Sequence, residues 1–288
     1  MLIVKRVAEV RAAVLKLRRQ QGPDATLALV PTMGAIHEGH LSLMRAAKRT
    51  CNLVAVSIFV NPLQFSSGED FDKYPCLFEA DSALLAAEGI DLLFVPTEQE
   101  MYPPSASTIV EVQAISDRLD GVSRPGHFRG VATVVTKLLN IVAPDVAYFG
   151  QKDAAQIAVL RTMVRDLNIP VQLITSPTVR EPDGLALSSR NRYLSVTERQ
   201  QALTLHRAIQ AAQSLVARGE IRRDTLQAAM LEVFSTEPMV RIDYADVVDP
   251  DTLEPLQQIT GTALIAVAAW AGTTRLIDNC IVNAVPHG

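Results

Sequence analysis

The stretch TLALVPTMGAIHEGH (26–40) decides the reading of this chain. Its first part, TLALV (26–30), is a continuous apolar run that stops at Pro31, the pattern of a strand buried in a parallel sheet. Its second part is a glycine-bearing turn that carries His37 and His40 into a helix pattern reaching Thr50. Strand, tight turn and helix make the first half of a βαβ unit. The alternation repeats outward from there. Val7, Val10, Val14 and Leu17, spaced by threes and fours, predict a helix over 5–21. LVAVSIFV (53–60), DLLFVP (91–96) and DVAYFG (145–150) predict further buried strands. Helices are predicted near 78–88, over 127–142 and from about Asp153; the second carries the stripe Val131, Val134, Val135, Leu138 and Val142. A polar loop, NPLQFSSGEDFDKYP (61–75), follows the second strand. The expectation is an α/β chain built on a parallel sheet.

The texture changes after about residue 177. Ser195 and Glu198 have capping-box spacing, Leu205, Ile209, Ala212 and Val216 form one stripe, and Gly219 is placed to stop the helix. Two helices and strands near 241–248, 262–270 and 274–283 predict a second, smaller α+β C-terminal domain. The two prolines and the glycine of SPTVREPDG (176–184) place the boundary, giving domains 1–178 and 179–288. A length of 288 residues suits two domains or one large one. Net charge is −4 and the isoelectric point about 5.8, so no general basic field draws nucleic acid. Cys51, Cys76 and Cys280 lie far apart, with no metal-ligand or disulfide spacing. The opening MLIVKRVAEV lacks the apolar core of a signal peptide, and the longest apolar run, TALIAVAAWAG (262–272), is too short to cross a bilayer. These features point to a soluble, cytoplasmic chain with no membrane and no nucleic-acid partner.

Five segments carry chemistry. In PTMGAIHEGH (31–40), Gly34 permits close backbone approach, while His37 and His40 face one way at a helix start, where the field favours anions. Such a pair can donate hydrogen bonds to an α-phosphate as charge builds, or can simply cap the helix; its position at the carboxyl end of a strand favours the first. Zinc is disfavoured, because no further Cys or His is near in sequence. In REPDGLALSSRN (180–191), Ser188, Ser189 and Arg190 suit β- and γ-phosphates; a solvated polar turn is the competing reading. In FGQKDAAQ (149–156), Lys152 offers a phosphate contact, Asp153 a ribose or magnesium contact or an N-cap, and Gln156, one turn on, would face a carboxylic acid substrate. In FVNPLQF (59–65), Asn61 and Gln64 are neutral amides able to satisfy a hydroxyl and a carboxylate, although Asn61 before Pro62 is equally a turn residue. Met33, Phe59 and Phe65 fit core as well as pocket wall. In VSRPGHFRGVATVVTKLL (122–139), Arg124, His127 and Arg129 could order a loop, line the site or form a subunit contact. No Ser–His–Asp or Cys–His nucleophile pattern is present. That suits a reaction in which the substrate carboxylate is itself the nucleophile and the protein positions it and stabilises charge.

Taken in order from Leu27 to Tyr193, the five segments resemble the pantoate–β-alanine ligase (pantothenate synthetase) family. The pairing of His-X-Gly-His with Ser-Ser-Arg also resembles the wider nucleotidyltransferase group. The resemblance implies a Rossmann-like doubly wound sheet with a smaller C-terminal lid, and a cytoplasmic homodimer. It implies adenylation of pantoate by ATP and transfer of the acyl group to β-alanine. Met33, Gly34, Ala35, Ile36, His37, Glu38, Gly39 and His40 would line the ATP site, with His40 as the acid-type residue and His37 its partner. Gly150, Gln151, Lys152, Asp153, Val179, Leu187, Ser188, Ser189 and Arg190 would complete it, Lys152 and Arg190 acting in catalysis. Gln64 and Gln156 would hold pantoate, Gln64 also lying near β-alanine. Asp81 matches a carboxylate associated with Mg2+, although Ala80 offers no second one. Ile36 and Leu187 are apolar replacements for the commoner leucine and methionine, and Cys76 stands where arginine is usual. The rival readings are another adenylate-forming or nucleotidyl-transferring enzyme of this fold, and a non-catalytic nucleotide-binding protein.

Overall fold

The computed structural model describes residues 1–66, 71 and 74–284; residues 67–70, 72 and 73 of the expected polar loop lie outside the described residues. The chain divides into two compact units. The first comprises 1–116, 124–150 and 159–176, and the second 117–123, 151–158 and the chain from 177 onward.

In chain order the elements up to residue 176 are β1 (Leu2–Val4), α1 (Val7–Gln21), β2 (Leu27–Thr32), α2 (Glu38–Thr50), β3 (Leu53–Ile58), α3 (Phe78–Ala87), β4 (Leu92–Phe94), α4 (Glu98–Met101), α5 (Asp120–Ser123), α6 (His127–Val142), β5 (Val146–Gly150), α7 (Ala154–Asp166) and β6 (Gln172–Ser176). Among the described residues six strands form one parallel sheet, ordered β1-β4-β3-β2-β5-β6. The order reverses between β2 and β5, the switch point at which open α/β sheets take ligands beyond their carboxyl ends. β2 does not stop with the apolar run: Pro31 pairs with Ser57 and Thr32 with Ile58. The β5 ladder has already ended at Leu29, so a proline without an N–H is tolerated in the last turn of pairing. Ala28, Val30, Val54, Val56 and Leu93 pack with Met44 and Ala47 of α2 and Leu85 of α3 as one core.

The second unit carries α8 (Val196–Val216), α9 (Arg223–Ser235) and an antiparallel sheet of β7 (Val240–Val248), β8 (Thr262–Ala271) and β9 (Thr274–Asn283), with β8 in the middle. The apolar run 262–272 is this central strand. The predicted stripe of α8 packs against Val247, Ile265 and Val267. Ser195 caps α8 reciprocally with Glu198, at 2.8 and 3.3 Å. α8 ends at Val216, and Gly219 turns the chain beyond it at φ +91°. Arg275 on β9 pairs with both Asp120 at 2.7 Å and Asp243 at 2.6 Å, which ties α5 to this sheet. Among the described residues no helix is long and apolar enough to cross a membrane.

Candidate active site

The chain leaves β2 through a turn with two left-handed residues in a row, Gly34 at φ +90° and Ala35 at φ +50°. A Cβ on Gly34 would lie 3.1 Å from Asp81 Oδ2 and 3.2 Å from Ile58, so both the dihedral and the space call for glycine. Asp81, on α3, holds the turn from behind. Its Oδ2 accepts from the Ala35 amide and its Oδ1 from the Ile36 amide, each at 2.8 Å, and the residue is 2% exposed. The carboxylate expected to meet magnesium is thus occupied on each oxygen by a buried amide, a structural role that shapes the turn. Among the described residues no cluster of three His, Cys, Asp or Glu is arranged to hold a metal.

The turn delivers His37 to the N-cap of α2 and His40 to the third helical position. Their rings stack, with centroids 4.0 Å apart and planes 28° from parallel. The His37 amide points at His40 Nδ1, 3.4 Å away. A neutral His40 that accepts at Nδ1 carries its proton on Nε2. The two imidazoles therefore stand where the partial positive charge of the helix end is greatest. Glu38 turns aside to pair with Arg45, which takes its carboxylate away from an anion.

Gln64 ends a tight turn, 62–64, that follows β3. Its Nε2 lies 3.1 Å from Met33 Sδ, bringing the two predicted site residues together. Asn61 has a different task from the substrate contact expected of it. Its Nδ2 donates to Gln64 Oε1 at 3.0 Å and to the Gly130 carbonyl at 3.1 Å, its Oδ1 accepts from Tyr102 at 2.9 Å, and it is 1% exposed. It orients Gln64 from inside the protein. Burial pushes the Tyr102 hydroxyl well above its ordinary pKa, so it stays a donor in this network.

Of the cluster Arg124, His127 and Arg129, the first two reach the Gln64 turn. Arg124 donates to His127 Nε2 at 3.0 Å, and His127 Nδ1 meets the Gln64 carbonyl at 2.8 Å. A guanidinium only donates and a carbonyl only accepts, so His127 is the neutral tautomer protonated on Nδ1. Gly130 completes the support. A Cβ there would fall 2.2 Å from the Leu63 carbonyl oxygen, so α6 lies directly against the Gln64 turn. A glycine inside a predicted helix was the signal for this approach, since it sacrifices about 1 kcal/mol of propensity against alanine.

In the second unit, Gln151, Lys152 and Asp153 form a single 3-10 turn directly after Gly150, and Gln156 follows on α7. Lys152 Nζ is 3.9 Å from Asp153 Oδ1. Val179 and Leu187 are drawn together by a hairpin, Leu187 N donating to the Val179 carbonyl at 2.9 Å, with Gly184 at its tip at φ +97°. The hairpin opens into Ser188, whose Oγ accepts from the Arg190 amide at 3.2 Å and caps the turn 189–193. Arg199 pairs with Glu181 at 2.7 Å and Asp183 at 2.6 Å, pinning the hairpin's tip.

Comparison with known proteins decides the family. The model for the family described as Pantoate-beta-alanine ligase matches residues 2–281. The chain belongs to the pantoate–β-alanine ligase family. A pantothenate synthetase from Acidobacterium capsulatum is 56% identical, over 97% of this chain and 96% of that protein. One from Thermotoga petrophila is 51% identical, over 98% and 100%. Among solved structures, the pantothenate synthetase of Thermus thermophilus superimposes with a TM-score of 0.91 at 46% identity, over 97% of this chain and 99% of that one. The Francisella tularensis ligase, solved with βγ-ATP and β-alanine, gives 0.78 at 32% identity, over 98% and 97%. The six-stranded parallel sheet and the smaller antiparallel unit are the architecture of this ligase family.

Proposed function

We propose that this chain condenses pantoate with β-alanine at the expense of ATP, giving pantothenate, AMP and pyrophosphate, and so serves the supply of vitamin B5 and coenzyme A. The family match over residues 2–281 supports this reading over a different nucleotidyl transfer or a non-catalytic nucleotide binder. In the first step a pantoate carboxylate oxygen attacks the α-phosphorus of ATP, and pyrophosphate leaves. In the second the β-alanine amine attacks the acyl carbon of pantoyl adenylate, and AMP leaves with the bonding electrons. The chain's own residues bind, orient and stabilise charge.

The single observation that carries the reading is the stacked His37–His40 pair at the amino end of α2. We assign these imidazoles to the α-phosphate oxygens, where donors placed for developing charge act most strongly. Lys152 and Arg190 neutralise the departing pyrophosphate, and Ser188 and Ser189 supply further donors to it. Gln64 and Gln156 hold pantoate through neutral amides. Magnesium would come with the triphosphate, lower its charge and need few protein ligands, and Asp153, about half exposed, would be a carboxylate to meet it. The family resemblance further implies a cytoplasmic homodimer, which sedimentation of the purified chain would check. The test of the reaction is pyrophosphate release from ATP and pantoate, with and without β-alanine. The proposal expects one stoichiometric burst without the amine and continuous turnover with it. No pyrophosphate in either case would sink it.

A further inference from the structure

Asn279 lies on β9, which is an edge of the three-stranded sheet because, among the described residues, only β8 pairs with it. Its side chain is hydrogen-bonded at both the nitrogen and the oxygen. Nδ2 donates to the Gln151 carbonyl at 3.0 Å and to the Lys152 carbonyl at 2.8 Å, and Oδ1 accepts from Gln151 Nε2 at 3.0 Å. The residue is 5% exposed. A primary amide is the smallest side chain that offers two donors and an acceptor in one plane. An aspartate would turn oxygens toward both carbonyls, and a leucine would leave three polar groups unmatched. The residue type therefore fits the turn it holds.

The neighbouring residue reaches the other phosphate loop. Asp278 accepts from both guanidinium nitrogens of Arg180, at 2.6 and 2.9 Å. Arg180 also donates to the Gly184 carbonyl at 3.1 Å, fixing the hairpin that leads to Ser188. Successive side chains leave a strand on opposite faces, so two adjacent positions of β9 serve two loops.

We propose that Asn279 is a positioning residue for ATP: it fixes the Gln151–Lys152 turn, and with it the Lys152 ammonium, in the place that meets the triphosphate. The proposal rests on the assignment of Lys152 to phosphate. Lysine is a point charge on a flexible stem, so its backbone anchor decides how much of its time is spent in reach of an anion. Asn279 itself need touch no substrate.

The test is steady-state kinetics of Asn279→Ser, with thermal unfolding alongside. Serine keeps a small polar group in the strand but supplies one donor and cannot span both carbonyls. The expected result is a KM for ATP raised tenfold or more, with KM for pantoate and β-alanine within twofold of the parent. A merely structural loss would lower the active fraction, and hence kcat, without this selectivity. Should the serine variant not fold, Asn279→Thr carries the same test, because threonine favours a strand and still lacks the second donor. A folded variant whose KM for ATP stays within twofold overturns the proposal. Failure of both variants to fold also overturns it, since Asn279 would then support the domain rather than the turn. Parental enzyme that releases no pyrophosphate from ATP and pantoate is a separate outcome: it removes the proposed reaction, while calorimetric titration of parent and variant with ATP still reads the effect of Asn279 on nucleotide binding.

Discussion

Replacing Gly130 by alanine should harm this protein where helix propensity alone forecasts a gain. In a helix interior, Gly→Ala is worth about 1 kcal/mol of added stability. At Gly130 the new Cβ would stand 2.2 Å from the Leu63 oxygen, 2.4 Å from the Leu63 carbonyl carbon and 2.6 Å from the Gln64 amide nitrogen. Ordinary contact begins near 3.4 Å, so the shortfall is about 1.2 Å, and the obstructing atoms are backbone that cannot swing aside. Overpacking costs about 1–3 kcal/mol, and an overlap this deep against backbone belongs to the upper part, about 2–3 kcal/mol, which leaves a net loss of about 1–2 kcal/mol after the propensity gain. The turn 62–64 must retreat by about 1 Å, and Gln64 retreats with it. Displacement of a substrate-holding group by that much can lower the rate by about 10²-fold. Thermal unfolding should therefore show Tm lowered by about 2–8 °C, taking 2–4 °C per kcal/mol for a unit of this size. Pyrophosphate release should show kcat/KM for pantoate reduced by about 10²-fold, with KM for ATP changed far less. A Gly130→Ala protein with raised Tm and parental pantoate kinetics would refute the reasoning, because it would mean that α6 does not press on the Gln64 turn.

His40→Ala should lower turnover by about 10²–10³-fold, the scale of losing one transition-state donor, while ATP still binds by calorimetry; unchanged turnover would remove His40 from the chemistry. Asp81→Asn keeps the shape but sets an NH2 against one of the two amides it held, at a loss of about 1.5–3 kcal/mol. A lower Tm together with reduced kcat, at any magnesium concentration, is expected, and recovery of activity by excess magnesium would favour the metal assignment. Burial pushes the Cys280 thiol up to about 12, whereas Cys76 is exposed. At pH 8 about one Cys280 in 10⁴ is thiolate, so alkylation of the native protein followed by peptide mapping should label Cys76 and spare Cys280 until the chain is unfolded.

Local sequence patterns carried the buried elements well, for a physical reason. β2, β3, β8 and α6 are shielded on most sides, so the residues that build them are apolar with a fixed period. The two strands that no pattern announced, β1 and β6, are the edges of the parallel sheet. LIV (2–4) is short and largely exposed, and QLITS (172–176) is only half-buried, so neither shows a long apolar run. Both are recognised as strands only through the neighbours they pair with. The histidine pair was legible because helix position follows from local spacing.

The amino-acid sequence by itself determined the βαβ alternation, the capped amphipathic helix at 196–216, and a histidine pair after the first long strand. These depend on neighbours within a few residues of one another, where periodicity and capping chemistry act. Only the tertiary structure decided what Asp81, Asn61, His127 and Asn279 do. Asp81 meets amides 45 and 46 positions away, His127 meets a carbonyl 63 positions away, and Asn279 meets carbonyls 127 and 128 positions away. A side-chain carboxylate, imidazole or amide looks the same in sequence whether it faces substrate or an internal carbonyl. Which of them it faces is settled by long-range packing, because a buried polar group takes whichever partner the fold brings within about 3 Å.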